Sequence, residues 1–361
     1  MDEEGISFAT NKRVFYNPNM RFCRSMSSLA VGAIEEKIEV VDAFCASGIR
    51  GFRYVKENKN VRKLTSLDIE KGAITLAKKN AKANKIRKHS VVCANISRAA
   101  FDLEADFLEI DPFGTPSPYL VDALRFFNTK KRAYLSVTAT DVAVLCGGKV
   151  APCMKNYHSK PLNNEFTHET GLRIMLKKIA ETAAEFNLGM QSLVSFSDRH
   201  YLKAVLQLRR SADLAYGSLK QLGHISHCAK CGWRGSGRFP TSCQYCHNEA
   251  DFAGPLWLGE LHDPAFLEKM SGLNKTREYS DREEIAKMLC AMKTEIGMPP
   301  YYYDLHALCK LYRTGGVPPM EKVIGKLRAG GFCVERPHFS HVSIKTDAGI
   351  QEITEALKWK S

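Results

Sequence analysis

The 361-residue sequence contains no apolar run approaching the roughly 18 residues that a membrane-spanning helix needs, so no such span is expected. It shows no internal repeats or low-complexity tracts, which argues against solenoid and fibrous architectures. No signal peptide is recognised, so the reading is a soluble, cytoplasmic chain with reduced cysteines. Acid is the scarcer charge. Against 52 Lys and Arg there are 39 Asp and Glu, giving a formal charge of +13 and a pI near 9.1. Such an excess suits a polyanionic partner. The basic residues are nevertheless spread out, with one group at Lys78, Lys79, Lys82, Lys85, Arg87 and Lys88. These equally suit the solvated faces of helices over a sheet. The length predicts two domains, placed at 1–211 and 212–361.

A further absence lies in a loop. Ile38-Glu-Val-Val41 reads as a buried strand entering Asp42-Ala-Phe-Cys-Ala-Ser-Gly48-Ile-Arg-Gly51. Gly48 and Gly51 allow a tight turn and close backbone approach to a ligand. Ala46 stands where a dinucleotide fingerprint would have its first glycine. A second strand, Leu64–Leu67, ends at Asp68, where a nucleotide-binding α/β fold places the carboxylate for ribose hydroxyls. An acid opening the loop, glycines within it and a second acid after the next strand suit S-adenosylmethionine.

The apolar run Ala105–Ile110 then ends in Asp111-Pro112-Phe113-Gly114. Asp-Pro alone also begins ordinary turns. Following the loop above, it is the pattern expected for methylation of a planar amino nitrogen. Such a nitrogen attacks poorly because its lone pair is delocalised into the ring. A carboxylate that accepts its N–H and an aromatic face that stacks on the base hold it in line with a methyl donor.

Cys228-Ala-Lys-Cys231 and Cys243-Gln-Tyr-Cys246 are separated by eleven residues. Two C-x-x-C knuckles at that spacing match a four-thiolate Zn2+ site. Four thiolates leave no open position, so the metal is structural, within a segment spanning 227–247. His224, His227 and His247 read as flanking residues, not ligands.

Alternating strands and helices up to Arg210 predict an α/β, doubly wound sheet whose last two strands, Met190–Phe196 and Leu202–Leu208, form a hairpin-like pair. Helices are expected at 72–84, 118–127 and 165–186, and Leu256–Gly259 as a docking strand or turn. The later chain predicts a helix capped by Asp281, helices at 303–312 and 320–329, and a hairpin of 332–335 with 342–345. Together these give a winged-helix-like C-terminal α+β part, a frequent nucleic-acid-binding module.

One ordered series ties these features together: Val14-Phe-Tyr-Asn-Pro18, Ala46-Ser-Gly-Ile-Arg50, Ile110-Asp-Pro-Phe-Gly114, Val137-Thr-Ala-Thr-Asp141, Leu145-Cys-Gly147, His168-Glu169, Gly254-Pro-Leu-Trp-Leu-Gly259 and His338-Phe-Ser340. It resembles the tRNA (guanine-26, N2)-dimethyltransferase family in its archaeal form, over nearly the whole chain. The resemblance implies a class I methyltransferase fold, S-adenosylmethionine as methyl donor, tRNA as partner and two methyl transfers to N2 of one guanine. No obligate protein partner is implied. It further implies that Asp111 accepts the N2–H, that Phe15 and Phe113 sandwich the base, and that Arg24, Asp42, Gly48, Arg50 and Asp68 line the cofactor site, with Cys93 and Ala94 near the adenine. The chain departs from the family at Cys23-Arg24-Ser25, where Asn-Arg-Asp is usual, and at Cys93, where an Asp is usual. The alternatives are an amino methyltransferase for ribosomal RNA guanine or DNA adenine, and a non-catalytic RNA-binding protein on a decayed methyltransferase fold.

Overall fold

The computed structural model describes residues 1–11 and 14–358. Its central sheet has seven strands: β1 (Ile38–Ala43), β2 (Val61–Asp68), β3 (His89–Cys93), β4 (Phe107–Ile110), β5 (Arg132–Ala139), β6 (Leu188–Asp198) and β7 (Tyr201–Arg210). Their spatial order is β3-β2-β1-β4-β5-β7-β6. β7 runs antiparallel to both neighbours and the remaining strands are mutually parallel.

Alternation along the strands divides two apolar layers, as a period of two requires. Val40, Phe107, Tyr134 and Val205 pack with the helices Arg21–Ala33, Ile49–Glu57 and Lys71–Ala83. Val41, Leu108, Leu135 and Leu206 pack on the other face with Ile96–Asp102, Leu120–Arg125 and Thr167–Glu185. Both faces are covered, so β4 has no exposed residue. The chain order reverses between β1 and β4. Ligands of open α/β sheets bind at such a switch point, outside the carboxyl ends of the strands. Asp42 is the penultimate residue of β1, Asp68 ends β2, and Asp111 follows β4 directly.

Past β7, Leu222–His227 is the middle strand of a three-stranded antiparallel sheet, flanked by Arg234–Gly237 and Asp251–Trp257. The stretch expected to dock is the end of that last strand. Leu256 and Trp257 join the core against Thr167–Glu185, and Arg173 Nη1 donates to the carbonyls of Trp257 and Gly259, each at 2.9 Å.

The C-terminal unit is built differently in two places from its sequence-based expectation. The helix Arg282–Thr294 forms, but Ile285, Leu289 and Met292 pack with Pro264–Thr276 and the helix Arg21–Ala33, inside the core that borders the sheet. Asp281 makes no side-chain cap; its carboxylate takes Arg21 Nε at 2.9 Å and Nη2 at 2.7 Å instead. The ion pair with a distant Arg wins over the local cap. A helix begins at Leu305, not Tyr303, because the Asp304 carboxylate caps Ala307 N at 2.9 Å. Tyr303–Asp304 becomes a strand pairing with Ser343–Thr346, which also pairs with Val334–Glu335. The small core there is closed by Ile350–Leu357, together with Leu305–Tyr312 and Met320–Ala329. No helix among the described residues is long and apolar enough to cross a membrane.

Candidate active site

The loop after β1 is shaped by its backbone. Gly48 has φ +83°, a conformation that favours glycine, and a Cβ there would lie 2.4 Å from the Phe52 ring. Gly51 opens onto Asp42, whose Oδ2 accepts the Gly51 N–H at 3.1 Å; a Cβ would come within 3.0 Å of that oxygen. Asp68 Oδ2 accepts from Ala46 N and Oδ1 from Glu70 N, each at 3.0 Å. The carboxylate is thus fixed at the end of β2, and each oxygen keeps lone-pair capacity for a ribose hydroxyl.

Asp111 sits at the centre of a charged network. Its Oδ2 is paired with Arg50 Nη2, and its Oδ1 receives no hydrogen bond among the described residues. Arg50 Nη1 also donates to Ser27 Oγ at 3.3 Å and lies 3.9 Å from Glu109 Oε1. Glu109, fully buried in β4, is paired with Lys203 of β7 and accepts from Tyr54 Oη at 2.7 Å. Lys203 donates in turn to Thr138 Oγ1 at 3.0 Å. Burial pushes the Asp111 carboxyl up, but Arg50, helped by Lys203, outweighs it and holds the group below its ordinary value. Asp111 is therefore an acceptor at neutral pH. Asp42 differs: burial lifts its carboxyl to about 7 against the pull of Arg50.

Two aromatic rings mark the mouth. Phe15 and Phe113 are 56% and 76% exposed, which is costly for phenylalanine unless something covers it. They meet each other edge to face, centroids 4.9 Å apart. Gly114, at φ +76°, turns the chain so that its N–H reaches Thr140 Oγ1 at 2.8 Å while its carbonyl accepts from Thr140 N at 3.0 Å. That double link fixes the Asp-Pro-Phe-Gly turn to the end of β5.

Comparison with known proteins gives this geometry a family. Residues 1–358 match the family model described as N2,N2-dimethylguanosine tRNA methyltransferase. The chain belongs to that family. A tRNA (guanine(26)-N(2))-dimethyltransferase from Methanothermobacter thermautotrophicus is 36% identical over 358 residues, covering 95% of this chain and 92% of the relative. The protein of the same description from Methanobrevibacter smithii is 33% identical, covering 96% and 91%. Among solved structures, Trm1 from Pyrococcus horikoshii in complex with S-adenosyl-L-methionine aligns with a TM-score of 0.90 at 29% identity, over 99% of each chain.

The residues that the family resemblance assigns to a cofactor are not all placed alike. Asp42, Gly48, Arg50 and Asp68 gather at the carboxyl edge of the sheet. Ala94 N donates to Asp68 O at 3.1 Å, and the exposed Cys93 ends β3 with its thiol 3.6 Å from Ile69 O. Arg24 is 5% exposed and committed to its own partners: Glu3, by Nε at 2.7 Å and by Nη2, and Asn17 O at 3.1 Å. Ser25, where the family usually has Asp, is buried and accepts from Arg53 Nη2 at 3.0 Å.

The four cysteines converge. Sγ atoms of Cys228 and Cys246 are 3.5 Å apart, those of Cys231 and Cys243 3.4 Å, and those of Cys243 and Cys246 3.5 Å. A thiolate tetrahedron around zinc has edges of about 3.8 Å, so the set fits Zn2+. All four are free of disulfides. Asn248 donates to the Cys246 sulfur at 3.2 Å and pulls that thiol down to about 6, favouring the thiolate form a metal needs.

Sequence reasoning missed Glu109, Lys203, Tyr54 and Glu3. Glu109 left a signal: a carboxylate inside the apolar run Phe107–Ile110 must have a buried partner. The others lie far from their partners in sequence and carry no local pattern.

Proposed function

We propose that this protein transfers methyl groups from S-adenosylmethionine to the exocyclic N2 of guanine-26 in tRNA, giving N2-methyl- and then N2,N2-dimethylguanosine. Family membership over residues 1–358 supports substrate and product. The observation that carries the mechanism is the ionised Asp111, anchored through one oxygen to Arg50 and open at the other, beside two exposed phenylalanines.

When bound, S-adenosylmethionine supplies an electrophilic methyl on sulfonium and leaves as a neutral thioether. Asp68 and the backbone of the 44–51 loop would hold its ribose and amino-acid parts, with Asp42 and Arg50 behind them. Asp111 Oδ1 accepts one N2–H, turns the nitrogen lone pair toward the donor and stabilises the positive charge that develops on N2. It need not be a strong base, because an alkylated aromatic amine is very acidic. For the second transfer the monomethylated guanine presents its remaining N2–H to the same oxygen. A stacked guanine must first be flipped out, at a cost of a few kcal/mol. Stacking on Phe113 or Phe15 offsets about 1–3 kcal/mol of that.

The four cysteines hold structural Zn2+, and the chain from 212 onward, including the zinc segment, forms the tRNA-binding part. The working compartment is the cytoplasm. The test is incubation with unmodified tRNA, ribosomal RNA and DNA and labelled S-adenosylmethionine, followed by nucleoside analysis. Label in N2,N2-dimethylguanosine at one tRNA position is expected. tRNA bound without methylation would replace this reading with a non-catalytic one.

A further inference from the structure

The charges along the helix Ile49–Glu57 and the strands beneath it do not balance. Glu3 and Glu57 are matched by Arg24 and Arg53: Glu3 pairs with both guanidiniums, and Arg53 Nε reaches Glu57 at 2.6 Å. Deeper in, three carboxylates, Asp42, Glu109 and Asp111, face two cations among the described residues. Arg50 is taken by Asp111 and Lys203 by Glu109. Asp42 is left over. It is 2% exposed, makes no ion pair among the described residues, and takes the Gly51 N–H at 3.1 Å. Among the described residues its surroundings add no positive charge beyond Arg50. On β4 its register partner is Glu109, on β2 it is Ser66, and Asp111 lies beyond β4. Cys45 in the loop and Tyr54 on the helix Ile49–Glu57 are further titratable neighbours among the described residues, and Asp42 makes both harder to ionise. A buried carboxylate without a cation favours its neutral form.

We propose that Asp42 senses the charge of the bound cofactor: it holds a proton in the empty site, releases it to solvent when the sulfonium of S-adenosylmethionine enters, and keeps it when the neutral thioether product, S-adenosylhomocysteine, is bound. The two ligands share their ribose, adenine and amino-acid groups and differ by one positive charge. Asp42 is thereby a specificity-determining residue that favours donor over product as the pH rises to neutrality. The carboxyl value of about 7 agrees with a group that changes charge in that range. This inference rests on S-adenosylmethionine being the donor.

The test is titration calorimetry of the intact protein with each ligand, in buffers of different ionisation enthalpy. Near neutral pH, S-adenosylmethionine should release a fraction of a proton that rises toward one as the pH falls, and S-adenosylhomocysteine close to none. Below pH 7 the affinity ratio of donor to product should fall by up to about tenfold per pH unit. In Asp42→Asn the difference in proton release should vanish. Equal release with both ligands in the wild-type protein, or a difference that persists in Asp42→Asn, would overturn the inference alone. Failure of S-adenosylmethionine to bind would overturn the donor assignment and the inference with it.

Discussion

Phe15 and Phe113 stand edge to face, their centroids 4.9 Å apart, and both are mostly exposed. A base lying between two rings needs them about 7 Å apart and parallel, two van der Waals spacings. The described arrangement is therefore a closed pair, and a guanine that is to be sandwiched must first part it. Gly114 and Thr140 pin the backbone that carries Phe113, so rotation about its side chain is the inexpensive movement.

Replacing either ring with Ala should lower kcat/KM for tRNA by roughly 5- to 100-fold, the worth of one base–aromatic stack of about 1–3 kcal/mol. Because the rings touch each other before they touch a base, their effects should not add. A double-mutant cycle in steady-state kinetics would show this, and strictly additive losses would mean that only independent contacts exist.

Asp111→Asn should abolish turnover while leaving equilibrium tRNA binding nearly unchanged, as measured by filter binding alongside methyl transfer. The amide keeps the shape but places at most one acceptor in reach of N2–H and carries no charge to balance the transition state. The depressed Asp111 carboxyl fixes the pH behaviour too. Its pairing with Arg50 stabilises the fold above the ordinary carboxylate value of 3.8 and is lost as pH falls below it, so this pair should cause no change between pH 5 and 8.

Lys203 and Glu109 are both fully buried, one on β7 and one on β4, with β5 between them. Lys203→Met leaves the Glu109 carboxylate without its ammonium and should cost about 3–5 kcal/mol of unfolding free energy. Adding Glu109→Gln should recover part of that loss, since an unpaired charge is worse than a neutral pair. Denaturant melts of the two single variants and the double variant measure the coupling. Near-additive losses would show that the two residues stabilise the sheet separately.

Much of this site is legible in sequence where the chemistry is local. Asp68 at the end of a strand, the Gly48 turn, Asp-Pro-Phe-Gly after β4 and the paired C-x-x-C knuckles each occupy a few consecutive residues, and each lies where its pattern predicts. What stays hidden depends on partners far apart along the chain. The family resemblance assigns Arg24 to the cofactor site, but nothing local reveals its ion pair with Glu3 of the short strand Asp2–Glu3. The apolar stripe of Arg282–Thr294 predicts a helix correctly but says nothing about what it covers, and it covers Pro264–Thr276 instead of joining the C-terminal unit. Asp281 shows the same competition, where Arg21 outbids a local cap.

Zinc should be present at about one ion per chain, because four thiolates close a single tetrahedral site. Chelation under denaturant-free conditions should lower the melting temperature and release the 227–247 segment to proteolysis first. Metal analysis with limited proteolysis checks both. Cys243→Ser should mimic the chelator, and a variant that keeps full zinc content would exclude Cys243 as a ligand.

A buried polar cluster ties the sheet to the C-terminal unit and should make the protein sensitive to acid. Glu295 pairs with His262 at 3.2 Å, with His338, and with Lys345 at 3.3 Å, while Lys345 also reaches Glu169 at 2.7 Å. Burial drives the His262 imidazole down to about 4, against the pull of Glu295. Between pH 6.5 and 4 the unfolded chain therefore binds a proton that the folded chain refuses, and stability falls as pH falls. Glu295 acts in the same direction lower down. Burial alone would raise its carboxyl, but His338 and Lys345 hold it well below the usual range, so its contribution is present above 4.5 and lost as pH falls through the folded value. Melting temperature should drop steadily from pH 7 to pH 4, with His262 accounting for on the order of 1–3 kcal/mol. His262→Gln, which cannot take up a proton, should melt with a visibly shallower pH dependence. An unchanged slope would mean that His262 titrates alike in the folded and unfolded chain and that the acid sensitivity lies elsewhere.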